Sequence, residues 1–131
     1  MIKVNIVSND ISAVAKAVII DESNRVLFLK RSNYVDKFSG EWDLPGGHLK
    51  ENESLLEGLS REVKEETNLP VQNAEFIEKQ GNLHFFYAKY DSTPVKLSHE
   101  HTDFRFFDQK DLNPNEKFQK IALVALEMTN D

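Results

Sequence analysis

The segment from Gly47 to Leu69, G-H-L-K-E-N-E-S-L-L-E-G-L-S-R-E-V-K-E-E-T-N-L, limits most narrowly what this chain can become. It follows a Pro45-Gly46-Gly47 stretch that is expected to turn. A helix is expected from about 55 to 67. Ser54 and Glu57 supply an S-x-x-E capping box at its start. Leu56, Leu59, Val63 and Thr67 recur at helical spacing, so that stripe is expected to face a core. Asn68 tolerates the left-handed conformation of a C-terminal cap, and Pro70 stops the helix soon after.

Placed on a wheel at about 100° per residue, with Glu62 at zero, Glu65 falls near −60° and Glu66 near +40°. The acidic wedge therefore begins where the apolar stripe ends. Carboxylates so close repel one another unless something neutralises them. A hard divalent cation such as Mg²⁺ takes oxygen ligands and bridges to phosphates. Arg61 lies on the other flank, one turn from Glu57 and Glu65, and is expected to pair with both. For E-x-x-E-E taken alone, a solvated face with i,i+4 salt bridges is the ordinary reading.

The chain has 131 residues, which suits a single domain (1–131) with its own core. Its net charge is −6, and no Lys/Arg cluster marks a nucleic-acid face. An acidic chain that handles an anionic substrate needs a cation between them. With no cysteine, thiolate metal sites, disulfides and Cys nucleophiles are excluded. No apolar run reaches membrane-spanning length, so no membrane partner is expected. Met1 to Ile6 alternate and soon meet Asp10, unlike a signal peptide, and a cytoplasmic location is expected.

Residues 12 to 20 and Arg25 to Lys30 read as strands of a hairpin around Asp21-Glu22-Ser23-Asn24. Residues 33 to 41 form a polar loop, and Trp42-Asp43-Leu44 is extended. Glu75 to Lys79 and Leu83 to Tyr90 are strands joined at Gly81-Asn82, with Phe104 to Phe107 a further short strand. A last helix from about 115 to 128 would bury Phe118, Ile121, Ala122, Ala125 and Met128. This order predicts an α+β domain with helices covering a mixed β-sheet.

The Gly47–Leu69 segment resembles the Nudix box of the Nudix (MutT-like) hydrolases, G-x5-E-x7-R-E-U-x-E-E-x-G-U with U bulky and apolar. Gly47, Glu53, Arg61, Glu62, Val63, Glu65, Glu66 and Leu69 match it. Asn68 stands where the family has Gly, a mild departure because Asn is the next-best left-handed cap. Outside the box, Phe28-Leu29-Lys30-Arg31 and Trp42-Asp43-Leu44-Pro45-Gly46-Gly47 resemble the family's strand and W-x-L-P-G-G stretch. Ser98-His99-Glu100-His101 before Phe104-Arg105-Phe106-Phe107 resembles its downstream region.

The resemblance implies a Nudix-like α/β/α sandwich and Mg²⁺-dependent cleavage of a diphosphate bond, with Mn²⁺ as the alternative metal. Implied metal ligands are Glu62, Glu65, Glu66 and the Gly46 carbonyl. Glu65 or Glu66 would serve as base, Arg61 would orient the carboxylates, and Glu53 would support the loop–helix joint. Glu100 is a candidate base or ligand, or else an ordinary loop residue. Arg31 either reaches a phosphate or makes an ion pair. Gly47 brings backbone close to phosphate, and Tyr87 is a candidate base-stacking residue. His99 and His101 are read as surface residues, with phosphate contact the alternative. The expected partner is a small-molecule nucleotide bound by a monomer or homodimer. An oxidised or non-standard nucleoside triphosphate is the first expectation; a dinucleoside polyphosphate or nucleotide sugar is the alternative. A non-catalytic nucleotide-sensing module and a purely structural or metal-buffering acidic helix are the competing classes.

Overall fold

A computed structural model describes residues 12–32 and 40–129. The reading of Met1 to Ile6, and positions 33–39 of the expected polar loop, lie outside the described residues. Strand β1 (Val14–Ile20) is buried along its whole length. It turns into β2 (Val26–Arg31) through an Asp21 carboxylate that accepts hydrogen bonds from the Ser23 and Arg25 N–H groups.

β1 and β2 meet at one registered pair, Ile20 with Val26, and then diverge. The expected hairpin is thus real only at its turn. The gap is filled by the chain that follows. β3 (Trp42–Asp43) pairs with β2, and β4 (Gly46–His48) pairs with Val14 to Lys16 of β1. This corrects the reading of Pro45-Gly46-Gly47 as a turn. The bend is at Pro45, and both glycines are strand residues.

On its other side β1 pairs in parallel with β6 (Leu83–Lys89) from Val14–Leu83 to Ile20–Lys89. β5 (Glu75–Gln80) adds to β6, and β7 (His101–Phe107) adds to β2. Among the described residues the result is one mixed sheet of seven strands. β7 begins three residues before the expected Phe104, since His101 already pairs with Arg31.

Helices cover both faces. Because successive strand residues point to opposite sides, Ala15, Ala17, Ile19, Leu27 and Leu29 lie under α1 (Leu55–Thr67), meeting Leu59 and Val63. Val18, Ile20, Val26 and Phe28 lie under α2 (Lys117–Thr129), meeting Ile121, Ala125 and Leu126. Phe85 and Phe86 split between the two sides, so both sides of that strand are core. The architecture is an α+β, α/β/α sandwich, as expected. Two stripe residues are corrected: Leu56 and Met128 are 49% and 44% exposed. α2 starts at Lys117 because the Glu116 carboxylate accepts from the Phe118 and Gln119 N–H groups and caps it there. No helix among the described residues is long and apolar enough to cross a membrane.

Candidate active site

α1 spans the residues its sequence signals. The Ser54 side chain accepts from Glu57 N–H while the Glu57 carboxylate accepts from Ser54 N–H. Asn68 caps the other end at φ 69°, its N–H bonded to the Lys64 carbonyl. With the helix fixed, the acidic wedge grades from solvent to core. The Glu65 side chain is 55% exposed and that of Glu62 is 20% exposed. Glu66 is buried, 7% exposed.

Two of these carboxylates meet the glycine strand. Gly46 N–H donates to Glu66 Oε1 at 2.9 Å. A Cβ on Gly47 would lie 2.5 Å from Glu62 Oε1, so a larger residue there would make that carboxylate swing away from its present position. Glu62 and Glu66, one turn apart, thus flank adjacent backbone residues of β4. Burial pushes the Glu66 carboxyl up to about 8, against the pull of the Lys16 charge and the Gly46 N–H. Glu65 turns toward solvent and the guanidinium. Among the described residues, no three His, Cys, Asp or Glu side chains close round a common point. The Glu62 and Glu66 carboxylates and the Gly46 carbonyl are hard oxygen donors carried on two neighbouring elements, the donor type that a Mg²⁺-like cation takes.

Arg61 organises this edge. Nε and Nη2 hold Glu53 at 2.6 and 3.0 Å, and Nη1 reaches Glu62 at 3.1 Å and Glu65 at 3.2 Å. Nη2 also donates to the His48 carbonyl. The expected pairing with Glu57 is absent, because the capping box uses that side chain. Arg61, then the Lys50 N–H, hold the Glu53 carboxyl down to about 2, and Glu53 in turn raises Arg61. Glu53 therefore bridges the Lys50 backbone and the Arg61 side chain of α1. Lysine has no planar fork to serve four acceptors. Arg61→Lys is expected to cost about 1–3 kcal/mol in urea unfolding; an unchanged midpoint would show that the fork holds nothing.

Behind the glycine strand sits a buried polar group that sequence reasoning missed. Lys16 Nζ bonds Asp43 Oδ1 and Oδ2 at 3.1 and 3.2 Å and the Leu44 carbonyl at 3.1 Å. It also reaches the Gly46 carbonyl at 3.4 Å. Arg31 Nη1 bonds the same Asp43 at 3.1 Å, so Arg31 makes an ion pair on the edge of this group. One signal was present: Lys16 is a lone cation inside the apolar run S-A-V-A-K-A-V-I-I.

The remaining candidates are scattered. Glu100 is exposed, and its carbonyl accepts from Ser32 N–H. His99 is exposed as expected, but His101 is buried, which corrects its reading as a surface residue. Neither His101 ring nitrogen has a hydrogen-bond partner among the described residues, and burial holds its pKa below the usual value. Tyr87 is not brought to the carboxylates. It packs on the α2 side and donates to Glu75 at 3.0 Å, beside a depression of about 370 Å³ at the far end of β6.

A capped helix carrying graded carboxylates against a glycine strand, inside this sandwich, defines a family. The NUDIX domain model matches residues 11–127, and the chain belongs to that family. The MutT protein of Methanosarcina mazei Go1 superposes with a TM-score of 0.70 at 26% identity, covering 92% of this chain and 95% of that one. An ADP-ribose pyrophosphatase of Methanocaldococcus jannaschii is 44% identical over 57 residues, which are 44% of this chain and 32% of that protein. An 8-oxo-dGTP diphosphatase of Proteus vulgaris is 32% identical over 65 residues, 50% of this chain and 57% of that protein. The matched stretch spans less than two thirds of either curated relative.

Proposed function

We propose that the chain is an enzyme, a Mg²⁺-dependent pyrophosphohydrolase that cleaves a diphosphate bond in a nucleoside di- or triphosphate derivative. The observation that carries this reading is the pair Glu62 and Glu66 set against Gly46-Gly47. It offers oxygen donors and close backbone approach on one rigid frame. A bound divalent cation supplies charge neutralisation at the phosphates and a more acidic water. Glu62, Glu66 and the Gly46 carbonyl would hold it, and Glu65 would join them on leaving Arg61.

Hydrolysis adds water oxygen to phosphorus, breaks the bridging P–O bond and sends the leaving phosphate off with its electrons. The water proton needs an acceptor. Glu65, exposed and hydrogen-bonded, and Glu66, buried beside the glycine strand, are the two carboxylates available on α1 for that task. Arg61 keeps Glu62 and Glu65 aligned, and Glu53 keeps Arg61 aligned. Intact box carboxylates and this bonding pattern favour catalysis over a nucleotide-sensing role.

Substrate preference is the finer part of the proposal. An oxidised or non-standard nucleoside triphosphate comes first, and the similarity to the Proteus 8-oxo-dGTP diphosphatase supports it. The Methanocaldococcus relative's activity puts ADP-ribose beside it. The deciding experiment is a panel of nucleoside triphosphates, ADP-ribose, nucleotide sugars and dinucleoside polyphosphates with Mg²⁺ or Mn²⁺. Turnover of at least one class is expected, falling at least about 100-fold in Glu62→Gln. No turnover with either metal, or an unaffected Glu62→Gln variant, would overturn the proposal.

A further inference from the structure

We propose that Lys16, anchored by Asp43, is a positioning residue that fixes the Gly46 carbonyl in the direction a divalent cation requires. The inference rests on the proposed function, since it assigns a task within that same site. Neither Lys16 nor Asp43 belongs to the carboxylate helix.

The geometry is that of a staple. An ammonium group has three donors. At Lys16 they are spread over the Asp43 carboxylate, the Leu44 carbonyl and the Gly46 carbonyl. Those acceptors belong to the chain that leaves β3, bends at Pro45 and enters β4. Proline has no N–H to donate, and the bend is held to β1 on the backbone side by its carbonyl, which accepts from the Ala17 N–H at 2.8 Å. Lys16 adds a second tie from the side-chain direction. Its own backbone is held in the centre of the sheet, registered with Gly46 on one side and Phe85 on the other. A substitution elsewhere on β1 would not offer the same reach, because only one residue in two points to this face.

A buried ion pair is weak as a source of stability, since removing two charges from water offsets much of their attraction. Lys16 and Asp43 are 8% and 5% exposed, with Arg31 sharing the carboxylate. What the pair does supply is direction. Gly46 is tied through both peptides that flank it: the N–H of the Pro45–Gly46 peptide to Glu66, and the carbonyl of the Gly46–Gly47 peptide to Lys16. Outer groups that orient metal ligands commonly change metal affinity about 10- to 100-fold when removed.

Charge and positioning predict opposite outcomes, which makes the test sharp. Deleting a positive charge beside a cation site should by itself tighten cation binding. Losing the staple should weaken it. Mn²⁺ binding to the whole chain is therefore measured by electron paramagnetic resonance for the wild type and Lys16→Met, which keeps length and volume. Positioning predicts a Kd raised about tenfold or more in the folded variant. An equal or lower Kd overturns the proposal. If Lys16→Met does not fold, hydrogen exchange of the wild type decides. A pre-set peptide predicts that the Gly47 amide, which shares its peptide unit with the Gly46 carbonyl, slows less than about threefold on adding Mg²⁺. Slowing beyond about tenfold would show that the metal, not Lys16, sets that direction. Failure of the functional reading looks different: the wild type itself would bind no Mn²⁺ and turn over no nucleotide.

Discussion

Gly46→Ala is expected to abolish the folded state, or to cost it at least about 4 kcal/mol. The added Cβ would lie 2.1 Å from the Ala15 carbonyl oxygen and 2.8 Å from Lys16 Cα. Both are backbone atoms of β1, which is paired on both sides and cannot step back without breaking its ladders. Gly46 also sits at φ +132°, where an L side chain is strained before any clash. Gly81→Ala is the matched control. Its φ is +59° with nothing within 4 Å of the new Cβ, so only the conformational cost of about 1 kcal/mol applies. Urea midpoints of the two variants provide the comparison. A Gly46→Ala protein as stable as Gly81→Ala would mean that β4 does not lie against β1 in the register described.

Glu66→Gln is expected to pull stability and activity in opposite directions. An ordinary carboxyl titrates near 4.5, whereas Glu66 is raised to about 8 by burial. Between those values the folded protein keeps a proton that the unfolded chain has released. Stability of the metal-free wild type therefore falls as pH rises from about 4.5 to about 8, then levels. The full contribution is on the order of 3–5 kcal/mol at about 1.4 kcal/mol per pH unit. Glutamine has no proton to lose, so the variant should lack this fall and be the more stable protein at pH 8.5 in chelator. Its activity should drop at least about 100-fold, because a neutral amide is a poor ligand for a hard cation and no base at all. Thermal melts at pH 5 and 8.5, beside turnover at saturating Mg²⁺, read both effects. Parallel pH curves for wild type and variant would show that Glu66 is not the buried acid.

The local signals were legible and the non-local ones were not. Capping box, apolar spacing and Asn68 cap all act within one turn, and α1 came out with the expected ends. The wheel angles set the acidic wedge beside the apolar stripe, whereas its grading from exposed Glu65 to buried Glu66 is set by packing against β4. Arg61 was read as an orienter, but its principal partner is Glu53, eight residues away and set by the loop rather than the helix. Lys16 and Asp43 lie 27 residues apart, and the apolar run that singles out Lys16 does not name its partner. Pro45-Gly46-Gly47 carries strong turn chemistry, yet the open seam between β1 and β2 takes the glycines into the sheet. Tertiary pairing overrides local preference there. His101 looked like a loop histidine because its burial comes from β2, not from its own neighbours in sequence.

The central pairing of this sheet also sets the tempo of its assembly. β1 finds its parallel partner only in β6, joining Val14 to Leu83 and Ile20 to Lys89 across most of the domain. Contacts between such distant parts of a chain make folding slow, since the entropy of closing the intervening loop is lost before the contact forms. Until residues 83–89 have been synthesised, β1 is a nearly all-apolar strand with one long edge unmatched. A nascent chain halted before β6 would thus present its stickiest segment without cover, and aggregation during synthesis should depend on how quickly translation passes that point.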